Sequence, residues 1–164
     1  MNHVYLLIGG NKGNRIKCLE ETRNKIALQI GLILKNSSVY ETEPWGFEDE
    51  CLFLNQCLMV ETLLSPHDVL KSIKKIEAHF DKKKRRNSGL FESRNMDIDI
   101  LFYNDLILND KDLKIPHPLL AERKFVLTPL AEIKPDLIHP VIHKTVRELL
   151  VQCLDNKMVV LYEL

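Results

Sequence analysis

The order of hydrophobic periods along the chain restricts its fold more than any single residue does. Residues 3–8, HVYLLI, make a short apolar run that stops at Gly9-Gly10 and reads as a buried first strand. From Asn14 the period lengthens. Ile16, Leu19, Arg23, Ile26 and Ile30 share one helical stripe, with Asn14 as the cap and Gly31 as the stop. Extended character returns over 33–42, and 52–62 alternates like a strand. Ser65-Pro66-His67-Asp68 starts a second helix, with a capping serine, proline at the first helical position and an acid three residues on from the serine. That helix is predicted to end near Phe80 and to be followed by a basic loop, DKKKRRNSGLFES. The segment SRNMDIDILFY, 93–103, is again a strand, and a hairpin is expected across Asn109-Asp110. Helical stretches near 119–133 and 145–154 and a last strand, MVVLYEL, complete the chain.

The order βαββαβ with a helix-rich tail predicts an α+β fold, a ferredoxin-like sandwich with helices packed on an antiparallel sheet. The 164 residues fit one domain over 1–164. Formal net charge is zero, so no bulk field draws the chain to nucleic acid or membrane. No apolar run approaches the roughly 20 residues of a spanning helix. MNHVYLLIGGNKGN lacks a basic leader and a cleavage site. Cys18, Cys51, Cys57 and Cys153 form no CxxC pair, so reduced thiols in the cytoplasm are expected rather than disulfides or zinc.

Within 93–103, Met96, Ile98, Ile100 and Phe102 alternate with Asp97, Asp99, Leu101 and Tyr103. Side chains two apart on a strand point the same way, about 6.6–6.8 Å apart. Asp97 and Asp99 therefore converge on one small volume, where two bare carboxylates would repel. A hard divalent cation relieves that, and Mg2+ takes few protein carboxylates, with substrate phosphates and water filling its shell. The alternative is a solvated outer face, against which stands the depletion of aspartate in strands. Arg94 and the run Lys82, Lys83, Lys84, Arg85, Arg86 lie just upstream, and such cations suit a polyphosphate as well as a solvated loop. GGNKGN matches neither a P-loop nor a dinucleotide fingerprint, so any phosphate here falls to metal and cationic side chains.

Other residues have two readings each. Phe53 and Asn55 share a strand face, either as a stacking wall and hydrogen-bonding edge for a flat heterocycle or as ordinary sheet packing. Trp45, between Pro44 and Gly46, reads as a lid. Glu77 falls in the apolar stripe of the second helix with Leu70, Ile73 and Phe80, so it needs a partner or reaches water at the helix end. His117 is framed by Pro116 and Pro118 on a stiff backbone.

Together these segments resemble the 6-hydroxymethyl-7,8-dihydropterin pyrophosphokinases of folate synthesis. Five motifs carry the likeness, in order: LLIGGNKGN, SSVYETEPWG, FLNQCLMVET, SRNMDIDILFY and IPHPLLAERKFVLTPLAEI. The resemblance implies transfer of pyrophosphate from ATP to 6-hydroxymethyl-7,8-dihydropterin by a cytoplasmic monomer that binds neither nucleic acid nor membrane. It implies two magnesium ions on Asp97 and Asp99. It implies a pterin stacked between Phe53 and Phe125, with Thr42, Asn55 and the Pro44-Trp45-Gly46 backbone reading its edge. Glu77, Lys84, Arg86, Phe91, Ile100, His117 and Arg123 would contact ATP. Arg94 would assist transfer with two cations of the basic run, either Lys82 and Lys84 or Lys84 and Arg86. The chain departs from the family pattern at Ser93, where proline is usual, and in a basic segment about two residues longer than in familiar members. Two rivals share the paired acids or the fold: a metal-dependent phosphohydrolase or nuclease, and a binding module without catalysis.

Overall fold

The computed structural model describes residues 1–88 and 96–164, and the side chains of all of these except 82–88. The chain order is β1 (Asn2–Gly10), α1 (Arg15–Gln29), β2 (Leu32–Asn36), β3 (Tyr40–Thr42), β4 (Phe53–Thr62), α2 (Pro66–Ser88), β5 (Asp97–Tyr103), a small hairpin of β6 (Leu108–Asn109) and β7 (Lys114–Ile115), a 3-10 turn (Leu120–Glu122), α3 (Lys124–Ile133), α4 (Val146–Gln152) and β8 (Val159–Leu161). The predicted caps are present. Asn14 accepts from the Lys17 N–H, and Ser65 Oγ accepts from the Asp68 N–H at 3.2 Å.

The main sheet runs β5-β1-β4-β3-β8, with β2 also on β4, and every pairing in it is antiparallel. β1 and β4 sit centrally and carry apolar residues on both faces, because both faces are covered. On one face Val4, Leu6, Ile8, Leu54 and Leu58 pack against Leu19 and Ile26 of α1 and Ile73 and Phe80 of α2. On the other, Tyr5, Leu7, Cys57 and Met59 pack against Leu127 and Leu130 of α3 and Leu149 of α4. The face that holds Phe53 and Asn55 is thus the floor of a second core. The sandwich expected from βαββαβ is present, with the tail helices as a third layer.

Two local expectations are corrected. First, α2 does not stop near Phe80; its backbone continues through Ser88, so Lys82–Arg86 lies on a helix and not in a loop. Second, simple alternation fails in β5. The register against β1 slips between Tyr5 and Leu6, which leaves Leu101 as an extra residue. Phe102 therefore joins Leu101 in the second core, while Tyr103 returns to the first with Ile98 and Ile100.

β5 is an edge strand, and an unpaired edge invites wrong pairing. Its outer rim is closed from within. The Ile98 N–H donates to Glu77 Oε2 of α2 at 3.0 Å, and the His117 N–H donates to the Leu101 carbonyl at 3.0 Å. Among the described residues, no helix is long and apolar enough to cross a membrane.

Candidate active site

The two aspartates of β5 leave the sheet on the α3 face, at the end where β1 finishes in glycine. Gly9 pairs with Asp97 on one side and Asn55 on the other, and Leu7 pairs with Asp99 and Cys57. Asp97 and Asn55 are therefore two strand spacings apart, about 10 Å. The floor between them is a residue without a side chain. A Cβ at Gly9 would stand 2.0 Å from Asn55 Oδ1. Asn55 is buried, and its Nδ2 donates to Thr42 Oγ1 at 2.8 Å. The carboxamide is thus held by the neighbouring strand with its oxygen over Gly9.

A cavity of about 190 Å³ opens above this floor. Phe53 and Phe125 line it, with Thr42, Asn55 and the paired aspartates. The loop after β3 bends over it. Gly46 has φ +82°, in the left-handed region that glycine enters without strain. Trp45 lies under the Arg123 guanidinium at 4.6 Å from the ring centroid, and Phe125 is 5.6 Å from the same guanidinium. Phe47 meets Phe53 edge-on at 5.9 Å. The loop is anchored to the β1 turn: Asp49 Oδ2 accepts from Asn11 Nδ2 at 3.1 Å and Lys12 Nζ at 3.2 Å, and Oδ1 accepts from the Cys51 N–H at 3.0 Å.

A second, wider cavity of about 380 Å³ lies on the other side of Asp97 and Asp99. Lys74, Lys114, Glu77, Ile100 and His117 line it. The cis Ile115-Pro116 bond leads into His117, whose Nδ1 accepts from the Leu119 N–H at 3.2 Å. Burial lowers the His117 pKa from the usual histidine value; Asp99 opposes the shift and Arg123 reinforces it. Burial lowers Arg123 as well, with Asp99 and Glu122 opposing. Glu77 does not reach out to bulk water. It is 5% exposed, and its partners include the Ile98 N–H and, 3.7 Å from Oε1, Lys74.

The expected residues thus sort into two neighbouring groups. Thr42, Trp45, Phe53, Asn55 and Phe125 gather around the first cavity, with Arg123 at its rim, while Pro44 and Gly46 flank Trp45 in the loop and do not line it. Glu77, Ile100 and His117 gather around the second. Arg94, Phe91 and the side chains of Lys82, Lys84 and Arg86 lie outside the described residues. Asn11, Asp49, Glu132 and Asp155 were not singled out from the sequence, because each acts through a partner far along the chain.

For metal, Asp97 and Asp99 offer hard oxygen donors side by side, the ligand type that magnesium takes. Among the described residues no third carboxylate, histidine or cysteine completes a protein cage around them.

A family model described as 7,8-dihydro-6-hydroxymethylpterin-pyrophosphokinase matches residues 5–135. The 2-amino-4-hydroxy-6-hydroxymethyldihydropteridine pyrophosphokinase of Aquifex aeolicus is 42% identical over 148 residues, 90% of each chain. The protein of the same name from Porphyromonas gingivalis is 36% identical over 138 residues, 84% of this chain and 93% of that one. Folic acid synthesis protein FOL1 of Dictyostelium discoideum is 40% identical over 144 residues, 88% of this chain but 21% of that protein. Among solved structures, Plasmodium falciparum HPPK-DHPS wild type with SDX-DHP superposes with a TM-score of 0.73 at 21% identity, over 93% of this chain and 43% of that chain. The chain spans less than half the length of that solved structure, and at such identity the likeness concerns the fold alone.

Proposed function

The chain belongs to the 7,8-dihydro-6-hydroxymethylpterin-pyrophosphokinase family, and from that premise we propose how its two cavities divide the reaction between them. As a member it is a pyrophosphokinase of folate biosynthesis, and it transfers pyrophosphate from ATP to the hydroxymethyl group of 6-hydroxymethyl-7,8-dihydropterin. The pterin takes the smaller cavity, stacked between Phe53 and Phe125, with the Asn55 carboxamide, Thr42 and the Pro44-Trp45-Gly46 backbone along its edge. ATP takes the larger cavity, against Glu77, Ile100 and His117, and its phosphates reach Arg123 at the rim of the smaller one.

The observation that carries this assignment is that Asp97 and Asp99 line both cavities. The group in transfer must cross the wall between acceptor and donor, and the aspartates are that wall. They would hold two magnesium ions, and bound there the metal would supply positive charge against the phosphate chain. The pterin hydroxyl oxygen attacks the β-phosphorus, the bond from the β-phosphorus to the α–β bridging oxygen breaks, AMP leaves, and the hydroxyl proton is released to water. Arg123 stands at the rim, and burial strengthens its attraction for a phosphate oxygen. Arg94 and two cations of the 82–86 run, Lys82 with Lys84 or Lys84 with Arg86, compensate charge on the β- and γ-groups. Lys84, Arg86 and Phe91 complete the nucleotide contacts. In this reading the protein works as a cytoplasmic monomer.

The test is the nucleotide product. Enzyme, MgATP and 6-hydroxymethyl-7,8-dihydropterin are incubated and the nucleotides separated by chromatography. AMP formed in step with pterin consumption is expected. ADP as the coupled product would make the chain an ordinary kinase, and nucleotide breakdown without pterin would make it a hydrolase.

A further inference from the structure

Residues 136–164 lie beyond the stretch that the family model matches, yet part of this tail fastens the elements that wall the smaller cavity. Helix α3 starts at Lys124, and Arg123 before it makes no side-chain cap. The Lys124 N–H is taken by Asp155, whose Oδ2 accepts it at 3.0 Å across 31 residues of sequence. The other oxygen of Asp155 accepts from the Lys157 N–H at 3.0 Å, which fixes the carboxylate within its own turn. A carboxylate there also faces the positive end of the helix dipole. Lys124 stands between Arg123 and Phe125, the two residues by which α3 reaches the cavity.

A few residues on, the same tail grips the opposite wall. The Met158 N–H donates to the Glu43 carboxylate at 2.6 Å, and the Met158 carbonyl accepts from the Glu43 N–H at 3.3 Å. β8 then pairs with β3, Val159 opposite Thr42, and the Tyr162 N–H donates to the Val39 carbonyl at 2.9 Å. Thr42 and Glu43 both line the cavity. One short segment therefore fastens α3 on one side and β3 on the other. The far end of α3 is held separately, by Glu132, which accepts from the Ser38 N–H at 3.0 Å and the Tyr40 hydroxyl at 2.6 Å.

We infer that Asp155 is a positioning residue for the pterin: by capping α3 from the tail it sets how far Phe125 stands from Phe53. The inference rests on the assignment of the pterin to this cavity. A flat ring between two aromatic walls needs about 3.5–4 Å on each face, and a gap wider by about 0.5–1 Å forfeits a quarter to a half of the contact energy. Losing the cap frees the N-terminal turn of α3, while the Glu132 bonds keep the helix on the sheet.

Calorimetry on the full chain tests this with pterin, in the presence of magnesium and a non-hydrolysable ATP analogue, and with the magnesium–analogue complex alone. Asp155→Ala is expected to weaken pterin about three- to tenfold and the nucleotide by less. Asp155→Asn keeps an acceptor oxygen and is expected to bind pterin like the parent, a rescue that a general loss of stability would not give. Unchanged pterin affinity in Asp155→Ala, equal losses for both ligands, or an equal loss in Asp155→Asn overturns the inference. If the parent protein itself takes up no pterin, the assignment of the cavity falls first and the inference with it.

Discussion

Gly9→Ala adds a single methyl group where the floor of the smaller cavity has none. The new Cβ would meet Asn55 Oδ1 at 2.0 Å, Asn55 Cγ at 3.0 Å and the Leu54 carbonyl at 3.2 Å. Contacts under 3.0 Å are not sustained, so Oδ1 must retreat by at least 3.0 − 2.0 = 1.0 Å. Retreat toward the methyl's other neighbour is closed by the Leu54 backbone, so the amide must rotate. Rotation breaks its 2.8 Å bond to Thr42, and at 4% exposure it finds no water in exchange. A lost hydrogen bond costs about 1 kcal/mol and a buried unsatisfied donor a further 1–3 or so. Relief of glycine's backbone entropy returns about 0.5–1 kcal/mol. The net expectation is a protein about 1–3 kcal/mol less stable by urea titration. Pterin binding loses the edge contacts of a displaced amide, about 2 kcal/mol or thirtyfold in affinity. The MgATP-analogue affinity stays near normal, because Asn55 does not line the second cavity. A Gly9→Ala protein that binds pterin like the parent would refute the reasoning, since it would mean that the Asn55 amide does not read the ligand where the structure holds it.

Asp97→Asn and Asp99→Asn should each abolish turnover and leave the melting temperature unchanged or raised, because a repulsive pair is relieved while a metal ligand is lost; near-normal turnover in either would remove the metal platform. Phe53→Ala and Phe125→Ala should weaken pterin far more than nucleotide, with stacking worth on the order of 1 kcal/mol beyond area, and calorimetry with each ligand separates the two. Acid should destabilise the fold in the window just below pH 6.5. Burial lowers the pKa of His139, with His143 adding to it, and burial lowers that of His117 too. The unfolded chain then binds more protons, so their stabilisation is complete above the unfolded value and is lost as pH falls through the folded one. His139 Nδ1 also accepts from the Val141 and Ile142 N–H groups at 3.2 and 3.1 Å, bonds that protonation at that atom removes. Urea midpoints between pH 7 and 5 check this, and His139→Asn should flatten the slope.

What was legible in the sequence followed from short-range periods. Asp97 and Asp99 point together because a strand repeats every two residues, and the same rule put Phe53 beside Asn55 and gave the order that closes into a βαββαβ sheet. The end of α2 was hidden because Lys82–Arg86 offers no apolar period to continue the helix by eye. The slip at Leu101 was hidden because Leu, Phe and Tyr suit either face. Asp155, Glu132 and Asp49 were invisible for a different reason. Each meets a partner 31, 92 or 94, and 37 or 38 residues away, and a lone polar residue carries no trace of such a meeting. The closeness of Gly9 to Asn55 is likewise a fact of register between strands.

The extra residue at Leu101 works as a phase shifter. Ahead of it, β5 counts its residues so that the aspartates look toward the substrates; behind it, the count restarts so that Phe102 and Tyr103 anchor in opposite cores. The direction of the metal-facing carboxylates is thereby decoupled from the way the rear of the strand is anchored. Without the slip, unbroken alternation through Leu101 would send Phe102 to the first core and Tyr103 to the second, whereas deleting Leu101 would set Ile100 directly before Phe102 and leave the acids and both aromatic anchors on their present faces. What the extra position contributes is one more apolar side chain, Leu101, buried beside Phe102 in the second core, so its removal should cost packing there and leave the aim of the acids unchanged.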